Sequence, residues 1–408
     1  MRSRAAQEPS GEQLTEMVST ASSLIHRAHD IAKLAAEQAN DAEAARTPDR
    51  DVIDAVVAAG FARHFVPRSF GGSGGTFAEL KDAAVIIGAA CPATAWCAVL
   101  AALMTRTAGH LPIEGQQQLW GPSPDVLVSG GVTPRGTADP VAEGWLLSGI
   151  WPLVTASDHA DWALLAAMVL DGGEQTVRVF LVPQAKIRVD PTWDDVGMCA
   201  TGSHTVTVDQ VFVPAWMSFP FSCLTEVEAP AADEDGHAVP MLAVNSLVFC
   251  LPMLGAARGA LDHWSRIISP KLVCHSGRPD AALIHLSEVY ARSSSEIDAA
   301  DLVLNRIVCL VDSTTNITPA EVSRNQRDCA FAADLMVGAV DRLIRSSGSS
   351  GHSTRLVLQR LWRDIHTAGA HAALQFGPAA ATYARQNLVP SDSLRTSHTE
   401  LRTLGDRQ

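Results

Sequence analysis

Residues 204–214 read HTVTVDQVFVP, in which polar residues alternate with Val206, Val208 and Val211 nearly in the two-residue period of a half-buried strand. This run closes a block of short apolar segments parted by Gly and Pro: VLVSGGV (126–132), WLLSGIW (145–151), WALLAAMVL (162–170) and VRVFLVP (177–183). The chain on either side follows a helical period instead. The predicted architecture is therefore α, then β, then α. It divides into an N-terminal helical domain over residues 12–125, a central β domain over 126–230 and a C-terminal helical domain over 231–408.

Thr47-Pro48-Asp49 reads as an N-cap, a proline at the first helical position and an acidic first turn, with Val52, Ala55, Val56 and Ala59 as the apolar stripe and Gly60 as the stop. FVPRSFGGSGG (65–75) is a turn-rich loop, and PAADEDGHAVP, within 219–240, is a linker or surface loop. Farther on, Ile297, Ala300, Leu304 and Val308 share one helix face. SSGSSGHS (346–353) separates two long helical patterns, the last predicted over 354–386.

Of the 408 residues, 47% are apolar and only 18% charged, against about 25% charged in an average soluble protein, which argues for a large core and against disorder. The formal charge is −13, which disfavours a nucleic-acid partner. An uncharged run from Ala83 to Thr105 is long enough to cross a bilayer. AACPAT divides it, however, and two buried helices joined at Pro92 are expected rather than a membrane span. MRSRAAQEPSGEQ at the start lacks the apolar segment of a secretory signal. The eight cysteines form no CxxC pair and no Cys/His cluster at zinc spacing, so no metal site is expected and reduced, cytoplasmic thiols are.

GGSGG (71–75) lacks the spacing and the preceding strand of a dinucleotide fingerprint, and no Walker A sequence, GxSxG elbow or HExxH occurs. Seven segments in order resemble the acyl-CoA dehydrogenase fold over most of the chain. They are VPRSFGGSGG (66–75), CPATAWC (91–97), VSGGVTPRG (128–136), SGIWPLVTASDHADW (148–162), VGMCATGSHTVTVDQVFVP (196–214), GAARGALD (255–262) and RLWRDIHTAGAHAAL (360–374). The resemblance implies an α+β chain with an N-terminal α-helical domain, a central β-barrel-like domain and a C-terminal four-helix bundle. Within that superfamily Arg363, Asp364 and His371 match the RDxxxxxxH element of flavin-dependent monooxygenases that receive reduced flavin from a separate reductase. The catalytic Glu and glycine-rich flavin loop of the dehydrogenases are not recognisable.

That branch uses reduced FMN or FAD, not covalently bound, and O2. A C4a-hydroperoxyflavin survives there in a dry pocket with its N5 proton held by a hydroxyl. Thr155 matches that hydroxyl, although Thr155-Ala156 stands where the branch usually has Ser-Gly. His371 matches a catalytic histidine that deprotonates a phenol or stabilises the peroxide. Ser129, Thr133 and Ser157 match loops that touch the flavin, and Gly348 and Ser349 could line a phosphate site. A turn hydroxyl serves equally to cap backbone, and a glycine-rich loop to join helices. Met104 falls where phenol hydroxylases of the branch carry a pocket histidine, and His110 lies nearby but out of register. His159, Asp161 and Trp162 are expected to shape the domain junction and His204 to pack there.

The implied function is hydroxylation of a small aromatic or polyketide-like metabolite by a homotetramer partnered with an NAD(P)H:flavin reductase, without nucleic acid or membrane. Three alternatives stay open: N-oxygenation of an amine such as a nucleotide-linked amino sugar, which calls for a pocket carboxylate or a basic clamp; acyl-CoA dehydrogenation, which calls for a Glu over the flavin; and a non-catalytic scaffold with a filled pocket.

Overall fold

The computed structural model describes residues 11–171, 174–225, 239–274, 281–314 and 316–388. The start of the chain, where no secretory signal is expected, and most of the expected linker lie outside the described residues.

Five helices come first: α1 (Gly11–Ala45), α2 (Arg50–Ala59), α3 (Phe77–Ala90), α4 (Pro92–Ala108) and α5 (Ile113–Trp120). The uncharged run is indeed two helices, with Pro92 at the first position of α4 and Thr76 and Glu79 forming a reciprocal cap at the start of α3. The start of α2 departs from expectation. Its cap is Asp49, whose carboxylate accepts from the Asp51 N–H, whereas the Thr47 hydroxyl lies 3.4 Å from Nε2 of His159. Gly60 ends α2 at φ +99, as its place in the sequence predicts.

The strands follow: β1 (Val128–Val141), β2 (Gly144–Val154), β3 (Trp162–Asp171), β4 (Glu174–Pro183), β5 (Arg188–Asp190), β6 (His204–Pro214) and β7 (Ser218–Pro220). They form one sheet in the order β5-β6-β2-β1-β3-β4-β7, with β1 and β3 parallel and the other neighbours antiparallel. In β6 the expected alternation holds at Val206 and Val208, both buried, while Val211 is only partly covered.

A short helix α6 (Ser222–Thr225) leads on to α7 (Met241–Cys274), α8 (Ala281–Ser313), α9 (Pro319–Ser346), α10 (Val357–Gly369) and α11 (Phe376–Leu388). Ile297, Ala300, Leu304 and Val308 of α8 are all buried, as the period predicts. Helix α7 is the core of the C-terminal bundle and also packs on α3, where GAARGALD lets the backbones meet. A Cβ on Gly259 would stand 2.2 Å from the Ala89 carbonyl oxygen. Met241–Pro270 of this helix is long and apolar enough to cross a membrane. With 83% of its most apolar window buried in protein, it behaves as a core helix.

The predicted continuous helix over 354–386 is broken. Helix α10 ends at Gly369, a single 3-10 turn spans Ala372–Leu374, and His371 caps that turn before α11 begins. The break carries a histidine out of a helical face and into a cleft.

Candidate active site

A cleft of about 500 Å³ opens where the sheet meets α4, α7 and the end of α10. Its walls are mostly apolar. Of the described residues lining it, only Arg135 and Asp195 carry a formal charge, and both are exposed.

The sheet wall comes from β1 and the end of β2. The register between β1 and β3 shifts between Gly131 and Gly136, so the intervening residues bulge, and Thr133 and Arg135 stand exposed on the bulge. After β2, the Thr155 hydroxyl lies 3.0 Å from that of Ser203, which lies 2.8 Å from that of Thr201. Three hydroxyls thus run inward from the cleft in a single chain. Only six described non-glycine residues have positive φ, and three of them line this cleft: Leu153 (+62°), Ala156 (+52°) and Met198 (+55°). Each costs about 1 kcal/mol or more, and such conformations collect where a binding surface imposes the backbone path.

The helical wall comes from Trp96 and Met104 of α4, Asn245 and Phe249 of α7, and His371. The His371 ring lies over Phe249 at 3.9 Å between centroids and meets Trp96 edge-on at 5.8 Å. Burial against these rings pushes its pKa down to about 4, so the imidazole is neutral near pH 7. Its Nδ1 accepts from the backbone N–H of Ala373 at 3.2 Å. An accepting Nδ1 carries no proton, so the neutral ring carries its proton on Nε2. In this form His371 offers a hydrogen-bond donor and has no free basic nitrogen for a second proton. Ser246 steadies the turn from behind, its hydroxyl donating to the Ala373 carbonyl at 2.9 Å.

Trp193, Met198, Thr201 and Ser203 complete the lining, and the Arg363-Asp364 pair holds their loop in place. The Met198 N–H donates to Oδ1 of Asp364 at 2.6 Å, and Arg363 donates to the Val196 carbonyl at 2.6 Å while pairing with Glu43. Burial raises the Asp364 carboxyl to about 6, against the lowering effect of the Met198 N–H and of Arg360 and Arg363. Gly197 fits because a Cβ there would stand 2.1 Å from the Arg363 carbonyl oxygen.

Five of the residues expected at the site line this cleft: Met104, Ser129, Thr133, Thr155 and His371. Four do not. Ser157 is buried, its hydroxyl directed at the Gly202 carbonyl at 3.4 Å. His110 packs its ring 5.6 Å from Phe219. Gly348 and Ser349 lie exposed beyond the end of α9, Gly348 at φ +69. Ser129 lines the wall, but its hydroxyl is directed at the Trp162 carbonyl at 3.4 Å. His159 reaches the N-terminal helices, its Nε2 3.0 Å from the Pro48 carbonyl oxygen, whereas Asp161, expected beside it at the domain junction, accepts from the Leu127 N–H within the central β domain. His204 is buried between Asp158 and the Trp193 N–H.

Sequence reasoning missed Asn245, Ser203 and the clamping role of Asp364. For Asn245 a signal was present, since it is a lone amide in the apolar run MLAVNSLVFCLPML (241–254). The Thr155 partner of Ser203 and the Met198 partner of Asp364 lie far off in sequence, so neither contact had a local signal.

The cleft suits a planar ring system with one polar edge. It has aromatic and aliphatic faces, hydroxyls at Thr155 and Ser203, and a backbone strained into shape beside them. A flavin ring meets that description, with an apolar end and a hydrogen-bonding end. No Glu is among the described lining residues, and Asp195 is exposed, so neither a dehydrogenase base nor a buried carboxylate for an ammonium is found there.

Residues 247–376 match the family model described as acyl-CoA dehydrogenase, C-terminal domain. The chain is 29% identical over 352 residues to the oxygenase subunit HsaA, a flavin-dependent monooxygenase of Rhodococcus jostii, covering 83% of this chain and 91% of that protein. It is also 29% identical over 386 residues to the oxygenase component of an FADH2-dependent resorcinol hydroxylase from a Rhizobium species, covering 90% of this chain and 94% of the relative. Among solved structures, XiaF from a Streptomyces species, in complex with FADH2 and glycerol, superposes with a TM-score of 0.83 at 25% identity. That match covers 92% of this chain and 97% of XiaF.

Proposed function

We propose that the chain is the oxygenase component of a two-component flavin-dependent monooxygenase of the acyl-CoA dehydrogenase superfamily, and that its cleft hydroxylates a small aromatic molecule beside His371. The observation that carries this reading is the imidazole itself, buried on Phe249 and Trp96 and held as an Nε2–H donor at the wall of an apolar cleft.

A separate reductase supplies reduced FMN or FAD, which when bound provides the electrons that activate O2 for insertion of one oxygen atom. Thr155, backed by Ser203 and Thr201, and Thr133 on the bulge are the residues we assign to holding it, with Ser129 shaping the wall. The apolar lining excludes water and so strengthens each hydrogen bond inside. His371 donates from Nε2 to an oxygen that gains negative charge during transfer, a role that requires no change in its own protonation.

The assembly we propose is a homotetramer built on the C-terminal helices, where Leu302 of α8, Phe331 of α9 and Phe376 and Leu388 of α11 are large apolar side chains left exposed. Light scattering on the purified protein tests it, and a monomer would refute it. A cytoplasmic location, the compartment that keeps thiols reduced, belongs to the same proposal.

The deciding experiment mixes the protein with a flavin reductase, NADH, FMN or FAD and a panel of phenols, and measures hydroxylated product per O2 consumed. Product from at least one phenol is expected. Oxygen use that ends only in hydrogen peroxide across the whole panel would count against the reading.

A further inference from the structure

We propose that Asn245 is a specificity-determining residue of this cleft, its carboxamide receiving a neutral hydroxyl or carbonyl oxygen of the substrate. The proposal rests on the hydroxylation reading above and names the kind of ring that reading takes. Asn245 lies in α7 four residues before Phe249, which places the two on one helix face about one turn apart, and Phe249 is the ring over which His371 lies. Its neighbours are built into the protein. Ser246 bonds to the Ala373 carbonyl, and the Ala243 carbonyl accepts from Nδ2 of Asn325 at 3.1 Å. The Asn245 amide, by contrast, lines the cleft with no hydrogen-bond partner among the described residues.

Asn245 is partly exposed at the cleft wall, and an apolar ligand that covers its amide would strip it of water and leave it unpaired, whereas a matching group replaces the lost hydrogen bonds. What matches is set by charge. His371 is neutral at pH 7, and the two charged lining residues, Arg135 and Asp195, are both exposed. A carboxylate or an ammonium carried to Asn245 would lose its water without gaining a counter-ion. A hydroxyl or a carbonyl loses less and gains the amide as donor, acceptor or both. The cleft therefore selects an uncharged, oxygenated ring over a ring with a charged substituent at that point, and rejects the ring without the oxygen.

The test uses four probes of one shape, titrated calorimetrically into the protein with and without bound flavin: 2-naphthol, 2-methylnaphthalene, 2-naphthoate and 2-naphthylmethylammonium. The wild type should bind 2-naphthol at least tenfold more tightly than each of the others. Asn245→Leu should bring the naphthol-to-methylnaphthalene ratio to within about threefold, and Asn245→Ala repeats the comparison if the first variant does not fold. Asn245→Asp should gain affinity for the ammonium probe. A wild-type preference for naphthoate, above all one abolished by Arg135→Met, would overturn the proposal, as would an unchanged ratio in the folded variant. Flavin titration is scored separately. Failure of flavin to bind refutes the hydroxylation reading, whereas loss of the naphthol preference with flavin bound refutes only the role of Asn245.

Discussion

The backbone N–H of Ala373 donates to Nδ1 of His371, and that single bond decides which kind of acid–base partner the histidine can be. With Nδ1 accepting and the pKa lowered to about 4, the ring presents Nε2–H throughout the neutral range. A histidine acting as a base with an ordinary pKa near 6.5 would lose activity as pH falls through that value. Here the hydroxylation step, followed in single turnovers at saturating flavin and substrate, should stay flat from pH 5.5 to 8. A twofold or greater fall centred near 6.5 would return the role of base to His371.

The same shift has a signature in stability. In the unfolded chain His371 takes up a proton below about 6.5, and in the folded protein only below about 4. The unfolded state therefore binds more protons between those values, and this group makes the fold less stable as pH falls through the window, by up to about 3 kcal/mol at the acid end. Asp364 acts in the opposite sense. Its folded pKa, raised to about 6, contributes stability below the unfolded value, which is lost as pH rises through 6. Urea unfolding between pH 4.5 and 7 should thus become less acid-sensitive in His371→Gln than in the wild type. Parallel curves for the two proteins would show that the imidazole is not desolvated.

Removing the ring should separate binding from coupling. His371→Ala leaves the Thr155 wall intact, so reduced flavin should still bind with an affinity within about threefold of wild type. Without the Nε2 donor, product per O2 should fall roughly tenfold or more, with hydrogen peroxide making up the balance. Unaltered coupling would remove His371 from the mechanism.

How much of this could be read from the sequence depends on the range of the interaction. The strand block, the helix break at Pro92 and the stop at Gly60 are local, because period, ring constraint and positive φ act within a few residues. The helix break at 369–371 escaped because HTAGAHAAL (366–374) keeps good helix formers on both sides. What ends the helix there is tertiary, with His371 caught by Phe249 and the Ala373 turn pinned by Ser246 from another helix. Ser157 and Thr155 look alike in VTASD (154–158), yet one hydroxyl is buried and directed at the Gly202 carbonyl and the other lines the cleft beside Ser203. Asn245 is a lone amide in an apolar run, but only the empty space beside it distinguishes a ligand group from a buried amide paired within the protein.

The Thr155-Ala156 pair departs from the branch's usual Ser-Gly, and the backbone explains what that departure costs. Ala156 sits at φ +52, a conformation that glycine adopts freely and an L side chain does not. Ala156→Gly should be tolerated or should stabilise by up to about 1 kcal/mol, the relief of strain offsetting glycine's greater unfolded freedom. Ala156→Val should destabilise by about 2 kcal/mol, because a branched Cβ makes the same φ worse. Melting temperatures of the two variants should fall on opposite sides of the wild type or bracket it closely, and a stabilising valine would contradict the strained geometry.

Thr155 itself can be tested without changing the shape of the wall. Thr155→Val removes the hydroxyl while keeping the branched side chain, and Ser203 retains Thr201 as a partner at 2.8 Å. The loss in folding stability should therefore stay near 1 kcal/mol, the value of one hydrogen bond, with no buried group left unpaired. Flavin is affected more, since the hydroxyl at the cleft surface is gone. The dissociation constant for reduced flavin, measured anaerobically by calorimetry, should rise about fivefold or more, and peroxide release should increase with it. If flavin affinity and coupling both match the wild type while stability drops by the same 1 kcal/mol, Thr155 serves only to brace Ser203, and the polar edge of the flavin is held elsewhere on the cleft wall.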